Sequence, residues 1–365
     1  MFRHVEGLAR YLLANKHDVN LAYSDVRGST ALYQLVDLLR ARGGRCLNLA
    51  VSNAPEPRDF GALWKLRSFA RYIRPDVIHS HSSKAGALGR ALALLGVHGR
   101  YFYTPNAYYG LDSRSGFRSG LFNLTERALG MIGTTINVSH DEATFAREKL
   151  RISPRRIRVI HNPVDTARFT PADATRRIRA RSQLGLAQDA IVLGAIGRIS
   201  FQKDPHTLYR ALVESFCAEP RLLLCHVGRG EMEKDIVELT CALQVEGRVV
   251  RHAYLEQPAW FYDAVDAVIM TSRYEGLPMT VLEAMACDLP LILSDAPGMG
   301  DILAAGLSHC WSAPVEDVAA FGVAICAWLS DIPLRRPRNH RQIVGARFTV
   351  EQCYGAVVAA YREEQ

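Results

Sequence analysis

The sequence lacks several features, and each absence narrows the class of protein. No run of 18 or more apolar residues occurs in the 365-residue chain, so no membrane-spanning helix is expected. No charged and apolar leader with a cleavage site is recognisable, so a secretory signal peptide is not expected either. The eight cysteines form no Cys-x-x-Cys pair. Their apolar surroundings predict buried thiols in a reducing cytoplasm.

Internal repeats and low-complexity segments are also missing, so a repeat architecture is not indicated. With 365 residues, 48% of them hydrophobic, the chain suits two domains that each bury a core. Residues 1–165 hold 24 basic and 13 acidic residues, a net charge of +11, whereas residues 166–365 hold 20 and 24, a net charge of −4. This asymmetry favours an anionic partner for the first half, such as a membrane surface or a lipid phosphate. Ordinary solvated arginines are the alternative, and nucleic acid is disfavoured because no nucleic-acid-binding module is present.

Short β-rich runs alternate with longer amphipathic helices, which predicts parallel, doubly wound sheets. In the first half the predicted strands are Val19–Tyr23, Cys46–Val51, Val77–His79, Tyr101–Tyr103 and Thr135–Val138, and the predicted helices include Ala31–Arg42, Phe60–Arg74 and Ala85–Leu95. In the second half the predicted strands are Ile191–Ile196, Arg221–Val227, Val249–His252, Ala267–Met270 and Leu291–Leu293. Asparagine and proline in Asn162–Pro171 predict the boundary between two domains. Ligands of such sheets bind at the carboxyl ends of the strands, so we expect the site in a cleft that the two domains face.

The segment from Arg273 to Glu283, Arg-Tyr-Glu-Gly-Leu-Pro-Met-Thr-Val-Leu-Glu, carries the strongest chemical signal. It follows an apolar strand and leads into a helix, for which Pro278 suits the first helical position. The free N–H groups at that helix end predict an anion site. Glu275 precedes the helix and Glu283 lies about one turn inside it, so both can face one cleft with a phosphate between them. A solvated helical glutamate is the alternative for Glu283.

A second signal follows the strand Ile191–Ile196, where Gly197 permits a tight turn and Arg198 and Lys203 flank the loop. Two cations at the carboxyl end of a strand suit a diphosphate, and each charge-assisted contact is worth about 1.5–3 kcal/mol. Two unrelated surface cations are the alternative. The sequence Val-Gly-Arg-Gly at 227–230 is a weaker, similar signal at the next strand end.

Together these motifs resemble the family 4 glycosyltransferases of the GT-B fold, from about His4 to the C-terminus. The most specific part is the Glu-x7-Glu signature of Glu275 and Glu283. Other segments typical of the family are Gly197-Arg-Ile…Gln-Lys203, Val227-Gly-Arg-Gly230, Tyr262-Asp-Ala-Val-Asp-Ala-Val, His79-Ser-His-Ser-Ser-Lys-Ala-Gly86 and Ile160-His-Asn-Pro-Val-Asp165. The resemblance implies an α/β chain of two Rossmann-like, doubly wound domains facing a central cleft. Residues 1–163 would bind the acceptor, 164–345 would bind the donor, and 346–365 would form a helix that crosses back to the first domain.

The resemblance also implies a retaining transfer of a sugar from a UDP- or GDP-linked donor to a glycan or lipid-linked acceptor, in surface polysaccharide or glycolipid synthesis. Arg198 and Lys203 would hold the diphosphate and neutralise charge on the leaving group. Glu275 would contact the transferred sugar, and Glu283 would accept hydrogen bonds from the ribose. The backbone of Gly276, Leu277, Pro278, Met279 and Thr280 would support sugar and phosphate. No Asp-x-Asp occurs, so we expect no metal cofactor, its place being taken by the two cations and the helix end.

The chain departs from the family in two places. The family begins with a short strand and a glycine-rich loop, whereas Met1–Arg10 already has the pattern of the following helix. The missing strand would be central in the sheet, and its absence would leave neighbouring strands with unpaired backbone groups; our hypothesis is a start codon placed too far downstream. Many relatives also have Thr-Pro-His-Gly where this chain has Thr-Pro-Asn-Ala at 104–107. Asn106 can bond a sugar hydroxyl but carries no charge, and stabilisation of the turn is its alternative role.

On the acceptor side we expect Asn106, Ser83 and Lys84. The pattern Phe60–Arg74 mixes aromatic and cationic residues, which suits an anionic membrane surface and a peripheral position on the inner face of the plasma membrane. Packing of its apolar face on the sheet is the alternative. Two rival functions also fit these motifs: a sugar-nucleotide epimerase of the same fold, and a catalytically weak or inactive GT-B subunit that binds a partner.

Overall fold

The computed structural model describes residues 2–26, 28–52, 55–111, 117–255, 257–332 and 339–363. It divides into two compact units. Unit 1 comprises Met1–His161 and Val350–Gln365, and unit 2 comprises Asn162–Thr349. The breaks therefore fall at 161/162 and 349/350, close to the limits 163/164 and 345/346 expected from the sequence.

Unit 1 divides its described strands between two parallel sheets. β1 (Leu21–Tyr23) pairs with β2 (Cys46–Asn48), while β3 (Val77–His81), β4 (Arg100–Thr104), β5 (Thr134–Asn137) and β6 (Ile157–Val159) form the second sheet in that order. The helices of this part are α1 (Phe2–Ala14), α2 (Thr30–Ala41), α3 (Arg58–Ile73), α4 (Ser83–Leu94), α5 (Phe117–Leu129) and α6 (His140–Glu148). One continuous sheet was expected here. In the described residues β1 and β3 each have a strand partner on one edge only.

Unit 2 holds one six-stranded parallel sheet. Its strands are β7 (Ile191–Ile196), β8 (Leu222–Val227), β9 (Val249–His252), β10 (Ala267–Met270), β11 (Leu291–Ser294) and β12 (Cys310–Ala313), in the order β12-β11-β10-β7-β8-β9. The helices are α7 (Ala174–Gln183), α8 (Pro205–Ala218), α9 (Glu233–Ala242), α10 (Ala259–Ala264), α11 (Met279–Ala286), α12 (Gly300–Leu303), α13 (Val318–Asp331) and α14 (His340–Arg347). The strand order reverses between β7 and β10, and doubly wound sheets bind ligands at such a switch point.

The last helix, α15 (Val350–Arg362), belongs to unit 1 and packs on α1. The Tyr354 hydroxyl donates a hydrogen bond to the His4 carbonyl oxygen at 3.0 Å. A Cβ at Gly7 would lie 2.4 Å from that hydroxyl, so α1 needs a glycine where the tyrosine crosses it. Leu8 and Val357 are buried in the same apolar cluster. The C-terminal segment thus supplies part of the core of the first unit.

None of the helices in the described ranges is both long and apolar enough to span a membrane. All eight cysteines are free thiols. They were expected to be buried; Cys225, Cys287 and Cys353 are, Cys46 and Cys310 are half-buried, and Cys217, Cys241 and Cys326 are exposed.

Candidate functional site

The loop after β7 is built on glycines that let two loops touch. The Gly197 N–H donates to the Val227 carbonyl and the Ile199 N–H to the Arg229 carbonyl, each at 3.0 Å, so the loop runs beside the one after β8. Gly228 has a φ of +153°, and a Cβ there would lie 1.7 Å from the Gly197 carbonyl oxygen. Only a residue without a side chain permits this approach.

Lys203 and Glu275 form an ion pair at the carboxyl end of β7. Lys203 ends the 3₁₀ turn Phe201–Lys203, and its Cε lies 3.3 Å from the position of a Cβ at Gly197. Its Nζ donates to Glu275 Oε1 at 2.5 Å, and the two side chains are 22% and 8% exposed. The loop after β7 and the loop after β10 thus meet through opposite charges.

Arg198 lies at the start of the same loop and is exposed. It has no ion pair or hydrogen bond with the rest of the described chain. Its guanidinium is therefore available to an incoming anion, and it offers the planar, bidentate geometry that suits phosphate oxygens.

The loop after β10 is held on both sides by backbone contacts. The Glu275 N–H donates to the Pro297 carbonyl at 2.8 Å. Gly298 has a φ of +91°, and a Cβ there would lie 2.2 Å from the Glu275 carbonyl oxygen. On the other side, Asn162 Nδ2 donates to the Leu277 carbonyl at 2.8 Å. Glu275 is consequently fixed by its backbone as well as by Lys203.

Further contacts tie the loops after β7 and β10 together. The Thr271 hydroxyl lies 3.0 Å from the Lys203 carbonyl oxygen and 2.9 Å from that of Asp204, to which it donates. The Arg273 guanidinium lies over the Phe201 ring at 4.0 Å and pairs with the buried Asp204 carboxylate at 2.9 Å. Because Asp204 also caps α8, these contacts fix the loop that carries both predicted cations.

The helix α11 presents unpaired donors at its first turn. Pro278 directly precedes the first helical residue, Met279, rather than occupying the first helical position as predicted. In the described chain the backbone N–H groups of Met279 and Thr280 have no acceptor, and the Thr280 hydroxyl is buried without a partner. Unpaired N–H groups at a helix N-terminus attract anions. This end of α11 is therefore a suitable seat for a phosphate or sugar oxygen.

Glu283 is held inside unit 2 by a tyrosine that its sequence motif does not indicate. Glu283 is 2% exposed, and the Tyr262 hydroxyl on α10 donates to its Oε2 at 2.5 Å. The alternative of a solvated helical glutamate is therefore wrong. The contact joins residues 21 apart in the sequence, so only the tertiary fold brings them together.

Arg198 and Lys203 line one pocket together with Gly197, His226 and Thr271. Glu275 reaches this pocket through its ion pair, whereas Glu283 is not among the residues that line it. His226 was not predicted from the sequence, although it is a polar interruption in the apolar strand β8. Its Nδ1 lies 2.9 Å from the Tyr209 hydroxyl. Burial, assisted by Arg251, lowers the pKa of His226 to about 4, so its ring is neutral at neutral pH.

The acceptor-side candidates lie at the carboxyl ends of two adjacent strands of unit 1. Ser83 and Lys84 open α4 just after β3, and Asn106 follows β4 in the left-handed conformation, with φ +53°. Lys84 Nζ pairs with Asp59 at 2.8 Å, so its charge is directed toward α3. The Asn106 amide Nδ2 donates to the Thr104 carbonyl at 3.4 Å, a long contact that leaves the side chain weakly held.

Two family profiles match the chain. The profile described as Glycosyl transferases group 1 matches residues 176–343, and the profile described as Glycosyltransferase Family 4 matches residues 1–168. The chain therefore belongs to the family 4 glycosyltransferases, and the family predicted from its motifs is confirmed.

Two relatives illustrate the similarity in sequence. The chain is 30% identical over 303 residues to a D-inositol 3-phosphate glycosyltransferase of Geodermatophilus obscurus, an alignment covering 78% of this chain and 66% of that protein. It is 27% identical over 294 residues to the UDP-Gal:alpha-D-GlcNAc-diphosphoundecaprenol alpha-1,3-galactosyltransferase of Escherichia coli, covering 79% and 74%. The chain thus spans about two thirds to three quarters of the length of these relatives.

Solved structures agree on the fold. HepE of Anabaena in complex with UDP and glucose matches with a TM-score of 0.79 and 18% identity, covering 98% of this chain and 96% of that one. Sucrose-phosphate synthase from Thermosynechococcus elongatus matches with a TM-score of 0.77 and 21% identity, covering 94% and 98%. The predicted GT-B fold is confirmed.

Proposed function

We propose that this chain transfers a sugar from a UDP- or GDP-linked donor to a glycan or lipid-linked acceptor in surface polysaccharide or glycolipid synthesis. The observation that carries the proposal is the Lys203–Glu275 ion pair at the switch point of unit 2, next to the unpaired guanidinium of Arg198. The names of the relatives support it, since one is a galactosyltransferase that uses UDP-Gal and a diphosphoundecaprenol-linked acceptor. HepE, which shares the fold, was solved with UDP and glucose.

The site suits a transfer that proceeds by charge stabilisation. Arg198 and Lys203 would contact the diphosphate and neutralise the charge that grows on it as the sugar leaves. The N–H groups of Met279 and Thr280 would add donors at the helix end. Glu275 would orient hydroxyls of the transferred sugar, and Glu283 would accept from the ribose. With retention, the acceptor would attack from the face that the diphosphate leaves, a phosphate oxygen taking its proton.

Donor hydrolysis tests the proposal directly. The full chain is incubated with UDP-glucose, UDP-galactose, UDP-GlcNAc and GDP-mannose, and free sugar and nucleoside diphosphate are measured. We expect turnover of one donor, reduced at least 100-fold in Glu275→Gln and unchanged in Glu238→Gln on the exposed surface of α9. Interconversion of sugar nucleotides would instead support the epimerase. Binding without turnover would support the inactive subunit.

We also propose that no metal ion takes part. The two cations and the end of α11 offer the charge stabilisation that a divalent ion supplies in other transferases. Turnover should then be unchanged after dialysis against EDTA and should not rise when Mg²⁺ or Mn²⁺ is restored. A loss that either ion reverses would contradict this part of the proposal.

We also propose that an anionic membrane surface at the cytoplasmic leaflet lies on the acceptor side, and that the solvent-exposed face of α3 contacts it. The predicted packing of this helix accounts for Leu63, Leu66 and Ala70, which join a core cluster of unit 1. It does not account for Phe60 and Trp64, which are 74% and 54% exposed one turn apart.

This exposed face also carries charge and a third aromatic ring. Tyr72 is 64% exposed two turns beyond Trp64, and Lys65 and Arg71 are exposed beside it. Aromatic rings flanked by cations suit the boundary between lipid headgroups and acyl chains, where the cations meet anionic lipids. The net charge of +11 in residues 1–165 favours the same partner.

Trp64 offers a native probe of this contact, because the other three tryptophans, all in the described ranges, are half-buried or buried. Its fluorescence should shift to the blue with vesicles of phosphatidylglycerol and phosphatidylethanolamine, and not with phosphatidylcholine alone. Phe60→Ser with Trp64→Ser should weaken co-sedimentation about 10- to 100-fold, whereas exposed Val323→Ser should not. Equal binding of the double variant, or self-association in place of vesicle binding, would contradict the proposal.

A further inference from the structure

A buried carboxylate in unit 1 has no part in the chemistry described above. Glu142 lies in the first turn of α6 and is 0% exposed. Its backbone N–H donates to the hydroxyl of Ser139, the residue that caps α6, at 3.2 Å. Burying an ionisable group is costly unless it is well bonded, so the contacts of this carboxylate indicate what it does.

Both oxygens of Glu142 accept backbone N–H groups outside the helix. Oε2 accepts the Val138 N–H at 2.9 Å, and Oε1 accepts the Ala107 N–H in a short contact. Ser139 and Glu142 have the spacing of a capping box, in which the glutamate ordinarily reaches back to the N–H of the capping residue itself. Here one oxygen crosses instead to the loop after the neighbouring strand β4.

The loop that receives this bond has an unfavourable backbone. Asn106 and Ala107 have φ of +53° and +80°, two left-handed residues in succession. Asparagine tolerates this conformation, whereas alanine pays about 1–2 kcal/mol for it. Beyond the turn, Tyr108 is 1% exposed and its hydroxyl donates to Asn137 Oδ1 at 3.1 Å. The turn is therefore tied down on one side by Tyr108 and at its strained residue by Glu142.

We propose that Glu142 is a positioning residue, whose carboxylate holds the left-handed turn at Asn106 and Ala107 and so sets where the Asn106 side chain meets a sugar hydroxyl. Glu142 is buried and does not touch the substrate. Its effect passes through the Ala107 N–H. The sugar contact rests on the proposed function, whereas the hold on the turn does not.

Hydrogen exchange tests the hold on the turn without any substrate. Glu142→Gln replaces one of the two acceptor oxygens with an amide NH2, so the side chain can accept only one of the two N–H groups and no longer joins Val138 to Ala107. We expect the Ala107 amide to exchange at least tenfold faster in this variant and unchanged in Glu148→Gln, on the exposed end of the same helix. Glu142→Asp, which keeps the charge but shortens the side chain by one methylene, should show the same direction if Glu142→Gln folds poorly. Unaltered exchange at Ala107 in both variants would overturn the inference.

Kinetics test the effect on the acceptor. UDP-sugar transfer is measured with the full chain and either inositol 3-phosphate or a GlcNAc-diphospho-lipid as acceptor. Glu142→Gln should raise the acceptor KM about tenfold and leave the donor KM and donor hydrolysis unchanged. Adding Asn106→Ala to Glu142→Gln should raise the acceptor KM only a little further, because both changes remove the same contact.

A second substitution separates positioning from general support of the fold. Ala107→Gly removes the conformational penalty of the turn, since glycine adopts positive φ freely. We expect it to reverse part of the rise in acceptor KM that Glu142→Gln causes. Absence of any recovery, or a raised donor KM, would overturn the inference. A wild-type chain that transfers from none of the donors contradicts the proposed function instead, and the exchange measurement then decides the role of Glu142.

Discussion

At the residue scale, Lys203 shows what one cation contributes to unit 2. Lys203→Met keeps the aliphatic stem beside Gly197 but leaves Glu275, 8% exposed, without its cation. We expect donor turnover to fall about 10²–10³-fold and the free energy of unfolding to fall by about 1–3 kcal/mol. Nucleoside diphosphate release and urea denaturation measure the two effects. Lys234→Met, on the exposed side of α9, is the matched control. Full activity in Lys203→Met would remove this lysine from the site.

Gly228 gives a second prediction at this scale. A Cβ at this position would lie 1.7 Å from the Gly197 carbonyl oxygen, so Gly228→Ala must push the loops after β7 and β8 apart. We expect a loss of at least about 2 kcal/mol in stability and weaker binding of UDP, because the displaced loop carries Arg198. Gly247→Ala is the control, since no atom lies within 4 Å of its Cβ position. Thermal denaturation and calorimetric titration with UDP provide the measurements.

The sequence indicated Arg198, Lys203 and Glu275 because each follows a recognisable strand, and parallel strands end at one edge of a sheet. It did not indicate Tyr262 beside Glu283 or Tyr209 beside His226. These pairs depend on how helices pack on one another and on the sheet, which local pattern does not encode. Glu142 was missed for a similar reason: the Ser139–Glu142 spacing predicts a local cap, and the bond to Ala107 appears only when β4 and β5 are adjacent.

At the scale of elements, the two sheets of unit 1 differ in size. β1 and β2 are three residues each and form a sheet of their own, whereas β7 and β8 are six residues each and lie inside a six-stranded sheet. Two short strands are marginal on their own. We therefore expect amides of β1 and β2 to exchange at least 100-fold faster than those of β7 and β8, measured by native-state hydrogen exchange with mass spectrometry. Comparable protection in both pairs would indicate that the small sheet has further support.

The presence of each strand and helix was easier to predict than its first and last residues. The predicted strand Cys46–Val51 ends at Asn48, and the predicted helix Ala31–Arg42 runs from Thr30 to Ala41. Conversely, the predicted strand Val77–His79 extends to His81. Strand ends depend on where a neighbouring strand can pair, which composition does not show. The predicted start of α3, Phe60, lies two residues after the observed start at Arg58. The division of unit 1 into two sheets depends on which strands pair with each other. The alternation of strands and helices along the sequence does not indicate this.

At the scale of the whole molecule, four histidines that are buried or half-buried determine the response to acid. Burial lowers the pKa of His226 to about 4 and that of His79 to about 3, and it also lowers the pKa of His81 and His340. Unfolding returns these rings to a pKa near 6.5, so the unfolded chain binds protons that the folded chain does not. The stability that these rings contribute is therefore fully present above pH 6.5, and it is lost as the pH falls toward their pKa values in the folded chain. At pH 5 the loss is about 2 kcal/mol each for His226 and His79.

Glu142 has the opposite effect, since burial raises its pKa to about 7 despite the two backbone hydrogen bonds. Its contribution to stability is present below pH 4.5 and lost as pH rises toward 7. Because the histidines outnumber Glu142, we expect the urea concentration at the midpoint of unfolding to be lower at pH 5 than at pH 7. His226→Gln should reduce the difference in the free energy of unfolding between pH 7 and pH 5 by about 2 kcal/mol. An equal pH dependence in this variant would show that His226 is accessible to protons in the folded chain.

The position of α15 has a consequence for the order in which the protein matures. Unit 2 is one uninterrupted stretch of chain, whereas unit 1 needs its final helix, whose Tyr354 reaches back to His4. On the ribosome the first 161 residues emerge early but wait until α15 has been synthesised before this structural partner is available. Unit 2 can complete its fold first, and unit 1 depends on a helix that is translated after all of unit 2.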